Sequence, residues 1–206
     1  MKLYFSPGAC SLSPHIALRE AGVAFELEAV TLATKVTKHG DDFNAVNPKG
    51  MVPTLALDDG DVLTEGPAIV QLIADMKPDA KLAPANGTRA RYHLQEWLNF
   101  ISTELHKQFS PLFAKDTPDS VKDQQRERIG KKLDHVVKQL GERPYLMGDF
   151  TVADAYLYTV LRWGRLTGVD VAKWPSLVAF MDRVEERPAV TAALEAEGLK
   201  KSKRPS

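Results

Sequence analysis

The chain has 206 residues, 44% of them hydrophobic, enough to build a buried core and to exclude a disordered solvating chain. Basic and acidic residues number 27 each, so no net charge argues for nucleic acid or an anionic membrane. A single cysteine excludes an intrachain disulfide framework, and without a secretory leader pattern or a bilayer-spanning apolar run the expectation is a soluble, cytoplasmic protein.

In chain order, Lys2 to Phe5 reads as a buried strand, Ser6-Pro7-Gly8-Ala9 as a turn, and Leu12 to Ala21 as a helix closed by Gly22. Phe25 to Val30 is a second strand. From Thr31 to Phe43 the pattern is weak, and irregular chain around a short helix is expected. Thr54 to Leu57 and Val62-Leu63 form a hairpin across the turn Asp58-Asp59-Gly60-Asp61, and Ala68 to Met76 is an apolar helix. The order βαβαββα implies a compact α/β layer with a mixed four-stranded sheet, over residues 1–80. This layer carries 6 basic against 11 acidic residues, and the rest of the chain the opposite excess.

Lys77 to Pro84 holds two prolines and no periodicity, which marks a linker. Beyond it, over 87–200, every signal is helical. Long helices are expected over Thr88 to Pro111 and Ser120 to Leu140, with shorter closing ones over Pro175 to Glu186 and Ala189 to Glu197. Thr151-Val152-Ala153-Asp154 fits a capping box, with Phe150 placed as a staple. The run Ala155 to Trp163 is apolar on nearly every face and is expected to be the central helix of the bundle. Lys200 to Ser206 reads as a basic, solubilising tail.

Two stretches invite a ligand. In Asn47-Pro48-Lys49-Gly50-Met51-Val52-Pro53 a proline stands where a strand begins, at a position that suits a bend or a cis bond. Glu65-Gly66-Pro67 then opens a helix whose first N–H groups are free. Together they could grip a peptide-like carboxylated ligand; the plainer reading is a tight hairpin and an ordinary helix start. Cys10 follows the first turn at or near a helix start, where N–H groups can favour a thiolate, although a buried, inert cysteine is the equal alternative. Ser13 stands where a Cys-x-x-Cys motif would need its second thiol, so any redox cycle must borrow one from a partner. The helix can start with Ser13 as N-cap and Pro14 at N1, or at Ser11 with Pro14 at N3, and only the second keeps Cys10 at the helix end. His15 reads as structural or interfacial. Asn99, Thr103, His106 and Lys107 recur at three- to four-residue steps on one polar helix face, which is either a site wall or a solvent side. No histidine has metal-ligand spacing to a partner, and no phosphate- or dinucleotide-binding motif occurs.

The start from Met1 to His15, the Asn47 to Pro53 loop with Glu65-Gly66, the stretch Trp97 to Lys107 and the Phe150 to Ala155 box together resemble the bacterial beta-class glutathione S-transferases. The resemblance implies a thioredoxin-like N-terminal domain, an all-helical C-terminal domain and a homodimer. It implies transfer of glutathione, as co-substrate and with no tightly bound cofactor, to small hydrophobic electrophiles, with glutathione-dependent thiol–disulfide activity through Cys10. It further implies a cis bond at Pro53, pairing of Val52 with the cysteinyl part of glutathione, contact of Glu65 and Gly66 with its γ-glutamyl end, and of Lys35 with its glycyl end. Cys10 is implied beside the sulfur, and Asn99, Thr103, Glu104, His106 and Lys107 on the helical side. Gly66 departs from the serine common in the family and can offer only its N–H; with Tyr4 and Ser11 nearby, the role of Cys10 as activator has a hydroxyl rival. Another glutathione enzyme, such as a peroxidase, isomerase or dehalogenase, and a non-catalytic glutathione-binding dimer are the rival readings.

Overall fold

A computed structural model describes residues 1–201, so most of the expected basic tail lies outside the described residues. The first 80 residues form the α/β layer: β1 (Lys2–Phe5), α1 (Leu12–Glu20), β2 (Glu26–Thr31), β3 (Val36–Thr37), β4 (Thr54–Ala56), β5 (Val62–Thr64) and α2 (Gly66–Met76). Among the described residues the sheet has five strands in the order β3-β2-β1-β4-β5, one more than the four expected. The extra strand is two residues long and lies in the stretch with no legible period, pairing Val36 with Thr31 and Thr37 with Val30. β1 runs parallel to β2 and antiparallel to β4, with Leu3 opposite both Leu27 and Leu55. The mixed sheet of a thioredoxin-like layer follows from this pairing.

α1 begins with Ser11 as N-cap and Pro14 at the third helical position, which keeps Cys10 at the mouth of the helix. A short 3-10 turn at Phe43–Ala45 stands where a helix was expected, and Asp42 caps it by accepting from the Asn44 N–H.

The helical layer comprises α3 (Arg89–Phe100), α4 (Lys107–Phe113), α5 (Asp119–Leu140), α6 (Val152–Leu161), the short α7 (Gly164–Thr167), α8 (Pro175–Glu185) and α9 (Pro188–Ala196). Between α3 and α4 the chain continues through a π-helical turn, Ile101–His106, in which the Lys107 N–H reaches the Ser102 carbonyl. The expected single helix is therefore one rod with a widened turn in its middle. Pro111 lies within α4 and cannot donate to the preceding turn.

α6 is buried along its whole length, as its all-round apolarity predicts. At its start the Asp154 carboxylate accepts from the Thr151 N–H (2.8 Å), the Thr151 hydroxyl (2.9 Å) and the Leu146 N–H (2.8 Å). Burial pushes its pKa up to about 6. Across the linker, the buried Arg91 takes Asp75 in a two-pronged pair at 2.7 and 2.8 Å and donates to the Pro84 carbonyl at 3.0 Å. One hydrophobic core runs through both layers, from Leu3 and Ile16 to Leu157 and Phe180.

Candidate active site

Where the two layers meet, a cleft of about 220 Å³ is lined by Cys10, Lys35, Lys49, Val52, Pro53, Glu65 and Gly66 from the α/β layer and by Ser102, His106, Lys107 and Tyr156 from the helices. One wall is the loop before β4. Asn47, buried, ties it down by donating to the Met51 carbonyl and the Thr54 hydroxyl, both at 2.9 Å, and its own carbonyl receives the Lys49 N–H at 3.0 Å. The Val52–Pro53 peptide is cis. Lys35 leans in from the β2–β3 turn and donates to the Gly50 carbonyl at 2.7 Å. Gly50 has φ +60°, and a Cβ there would stand 3.0 Å from Asn44 Oδ1 and 3.2 Å from Lys35 Cε, so the loop needs glycine at this point.

The second wall is the start of α2. Its N-cap, Glu65, holds φ +69°, a conformation an L side chain rarely adopts and one that recurs where a ligand is gripped. Gly66 follows at the helix N-terminus beside Pro53, with Lys49 Nζ bonded to Glu65 Oε1 at 2.9 Å on the exposed side. Three ammonium groups (Lys35, Lys49, Lys107) and one carboxylate (Glu65) thus face a small cleft, a pattern complementary to a ligand with more acid than amine.

Cys10 forms the floor. Its Sγ–H donates to the Val52 carbonyl at 3.2 Å. Burial pushes its pKa up to about 11, against the lowering effect of nearby backbone N–H groups and Lys107. The helix mouth does favour the anion, as the sequence suggested, but removal of water outweighs it, and the resting group is a thiol. Ser11, the hydroxyl rival, is fully buried and outside the cleft, with its oxygen accepting the Ser6 N–H at 3.1 Å and its proton directed at the Ser6 carbonyl.

The helical side is built by the π turn and α6. His106 Nδ1 lies 2.7 Å from the Tyr156 hydroxyl. Burial, aided by Lys107, lowers the His106 pKa to about 4. The imidazole is thus neutral at ordinary pH, held edge-on against Trp163 at 4.8 Å between centroids.

Of the residues expected on the helical side, His106 and Lys107 line the cleft, whereas Asn99, Thr103 and Glu104 do not. Asn99 and Thr103 are exposed, the Thr103 hydroxyl folding back on the Asn99 carbonyl at 3.0 Å, and Glu104 pairs with Lys132 on α5. An α-helical count places 99, 103 and 106 on one face; the π turn inserts an extra residue and rotates His106 away from the other two. Tyr156 and Ser102 were missed as wall residues, whereas Lys49 lies in the Asn47 to Pro53 stretch already singled out. Tyr156 was absorbed into the apolar run of α6, where the clue was its hydroxyl, which needs a partner when buried.

A second hollow of about 370 Å³ opens from the same floor, sharing Ala9, Cys10, Leu32 and His106 and adding Phe113, Trp163 and Leu166. Its lip is apolar yet open to water, with Leu166 69% and Phe113 49% exposed. Such a pair of compartments around one thiol suits a charged, peptide-like molecule on one side and an apolar one on the other. Among the described residues no cluster of His, Cys, Asp and Glu could hold a metal ion, and no helix is long and apolar enough to cross a membrane.

Residues 8–76 match the family model for the glutathione S-transferase N-terminal domain, and residues 100–188 that for the C-terminal domain. The chain is 52% identical to glutathione S-transferase GstA of Escherichia coli O157:H7, over 97% of this chain and 100% of that protein. The structure of a ternary complex of BphK, a bacterial glutathione S-transferase, superposes with a TM-score of 0.95 at 59% identity, over 97% of this chain and 100% of that one. A beta-class glutathione S-transferase of Sphingomonas chungbukensis superposes with a TM-score of 0.94 at 49% identity, over the same shares.

Proposed function

Since the chain belongs to the glutathione S-transferase family, we propose that glutathione lies extended in the smaller cleft and that its thiol is presented to an apolar electrophile in the adjoining hollow. The chain is an enzyme that conjugates glutathione, its co-substrate. The observation that carries the placement is the convergence on one thiol floor of the Val52 backbone, the N-terminus of α2 and the Lys35 ammonium. Glu65 pairs with the γ-glutamyl ammonium and the Gly66 N–H with its carboxylate, aided by the helix N-terminus. Lys35 takes the glycyl carboxylate, and Val52 pairs with the cysteinyl peptide. The sulfur then lies between Cys10 and His106, whose N–H stabilises the developing thiolate without carrying charge itself. Residues 1–80 act as the glutathione-binding domain and 87–200 as the domain that supplies the electrophile wall.

Cys10 serves redox turnover rather than conjugation. Its thiol, on losing a proton, attacks a bound disulfide, expels one thiol that takes up that proton, and is left as a mixed disulfide. Glutathione then attacks the mixed disulfide, regenerating the Cys10 thiol and carrying away the other sulfur as an oxidised glutathione species. Asn99 and Thr103 share an outward helix face with Tyr92, which is 62% exposed, and a second copy docked on this face forms the homodimer and turns them toward the partner's cleft.

Substitution Cys10→Ala tests the division of labour. Conjugation of glutathione to an activated aryl chloride should persist within about tenfold, while glutathione-dependent disulfide reduction should be lost. Full reductase activity in Cys10→Ala would overturn the redox assignment. An unshifted ultraviolet titration of bound glutathione would overturn thiolate stabilisation, and a monomer by sedimentation would overturn the dimer.

A further inference from the structure

Gly8 stands two residues before Cys10, and both its peptide groups are gripped from the helical layer. Its N–H donates to Glu197 Oε2 at 2.8 Å, and its carbonyl accepts the Trp163 indole N–H at 2.9 Å. Gly8 has φ +73°, and Leu199 lies 3.5 Å from where a side chain would begin, so backbone is presented here for close approach. Glu197 immediately follows α9. Its other oxygen is 2.8 Å from His15 Nδ1, with both side chains fully buried. Arg19 Nε donates to His15 Nε2 at 2.8 Å. A guanidinium can only donate, so Nε2 accepts and the ring proton sits on Nδ1, directed at the carboxylate. The half-buried Arg19 and the buried His15 and Glu197 thus form a chain of polar groups that ends on the backbone N–H of the turn carrying the thiol. Within that turn Ala9 N–H bonds the Ser6 carbonyl and the Ser11 hydroxyl bonds Ser6, and the Ala9 and Cys10 carbonyls accept from the Leu12 and Ser13 N–H groups of α1, so the Gly8 peptide is the part of the turn whose grip comes from the helical layer.

We propose that Glu197 is a positioning residue for the thiol chemistry: through the Gly8 N–H it sets the seat of Cys10 Sγ against the Val52 carbonyl. The segment that follows α9 thereby governs how readily the sulfur reacts. Trp163 grips the other face of the same peptide unit and packs against His106, so both flanks of the site are referenced to one indole. Only the catalytic consequence rests on the reading of the cleft as a glutathione site.

Because Cys10 is the lone cysteine of the chain, its reaction with a chromogenic aromatic disulfide in the intact protein reports on this seat directly. Glu197→Ala removes the acceptor for Gly8 and should speed labelling by about tenfold. Glu197→Gln keeps a carbonyl for Gly8 but sets an amide donor against His15, so it should lower the melting temperature yet label at the wild-type rate. A purely structural role would move both variants together. A folded Glu197→Ala protein labelled at the wild-type rate, or a Glu197→Gln protein labelled as fast as Glu197→Ala, would overturn the proposal. Should Glu197→Ala fail to fold, Trp163→Phe, which removes the donor to the Gly8 carbonyl, decides: faster labelling supports the grip and an unchanged rate overturns it. Labelling is measured without glutathione. A wild-type protein that failed to conjugate glutathione would defeat the functional reading and leave the labelling pattern intact.

Discussion

At the scale of single residues, the balance at Cys10 favours the thiol. Dehydration at the cleft floor dominates the helix mouth, and the sequence could not show this because it reveals the turn and the helix start but not the depth of the sulfur. The alkylation rate of Cys10 by iodoacetamide should therefore rise about tenfold per pH unit through neutrality and level off only near an apparent pKa of about 11. A plateau by pH 8 would contradict the raised pKa. His106 should show no imidazole titration by NMR between pH 6 and 8, since burial lowers its pKa to about 4. Gly66 offers a gain. A Cβ there would meet Pro53 at 3.7 Å, an ordinary contact, so Gly66→Ser fits and adds a hydroxyl at the α2 N-terminus. The KM for glutathione should fall about threefold, the worth of a weak hydrogen bond.

At the scale of elements, the capping box of α6 was readable from Thr151 and Asp154 because capping is local chemistry, settled within four residues. Thr151→Ala should cost about 1 kcal/mol in urea unfolding, and Asp154→Ala about 3 kcal/mol because it strands buried donors. Since burial raises the Asp154 pKa to about 6, the proton-linked part of its contribution is complete below the ordinary carboxylate range and is lost as pH rises through 6, whereas the hydrogen bonds the carboxylate accepts persist above it. At Pro53 the residues left a bend or a cis bond open, since a proline at a strand start has few ways to sit, and the cis bond that the family resemblance implied is the one present. The π turn was not legible. Nothing in Ile101 to His106 announces an extra residue in the turn, and an α-helical count alone leaves Asn99 and Thr103 on one face with His106, which the widened turn separates. The two-residue β3 escaped for a related reason: a strand that short has no period to detect.

At the scale of the whole molecule, the two layers are joined by polar pairs that no local pattern could reveal, because their partners lie far apart in the chain. Arg91 and Asp75 clasp the linker from both sides, and Arg187 grips Glu20 at 2.6 and 2.8 Å from the start of α9. Asp75→Asn should lower stability by about 2 kcal/mol, discounted for the partial exposure of the carboxylate but leaving Arg91 buried without its charge partner. Arg91 holds the Asp75 carboxyl below its usual range, so this contribution is present above that range and is lost as pH falls through the lowered value. Acid unfolding of wild type and Asp75→Asn should therefore converge at low pH. α1 is the hinge of the whole arrangement. From Leu12 to Leu18 every residue is buried, with α2 on the same layer and α6 and α9 from the other closing over it. The chain therefore has two architectures but one cooperative unit. Cut at the linker, the α/β fragment would present the flank of α1 to water as a sticky surface, so the halves are not modules that could be expressed, exchanged or inherited separately without a substitute for the missing cover.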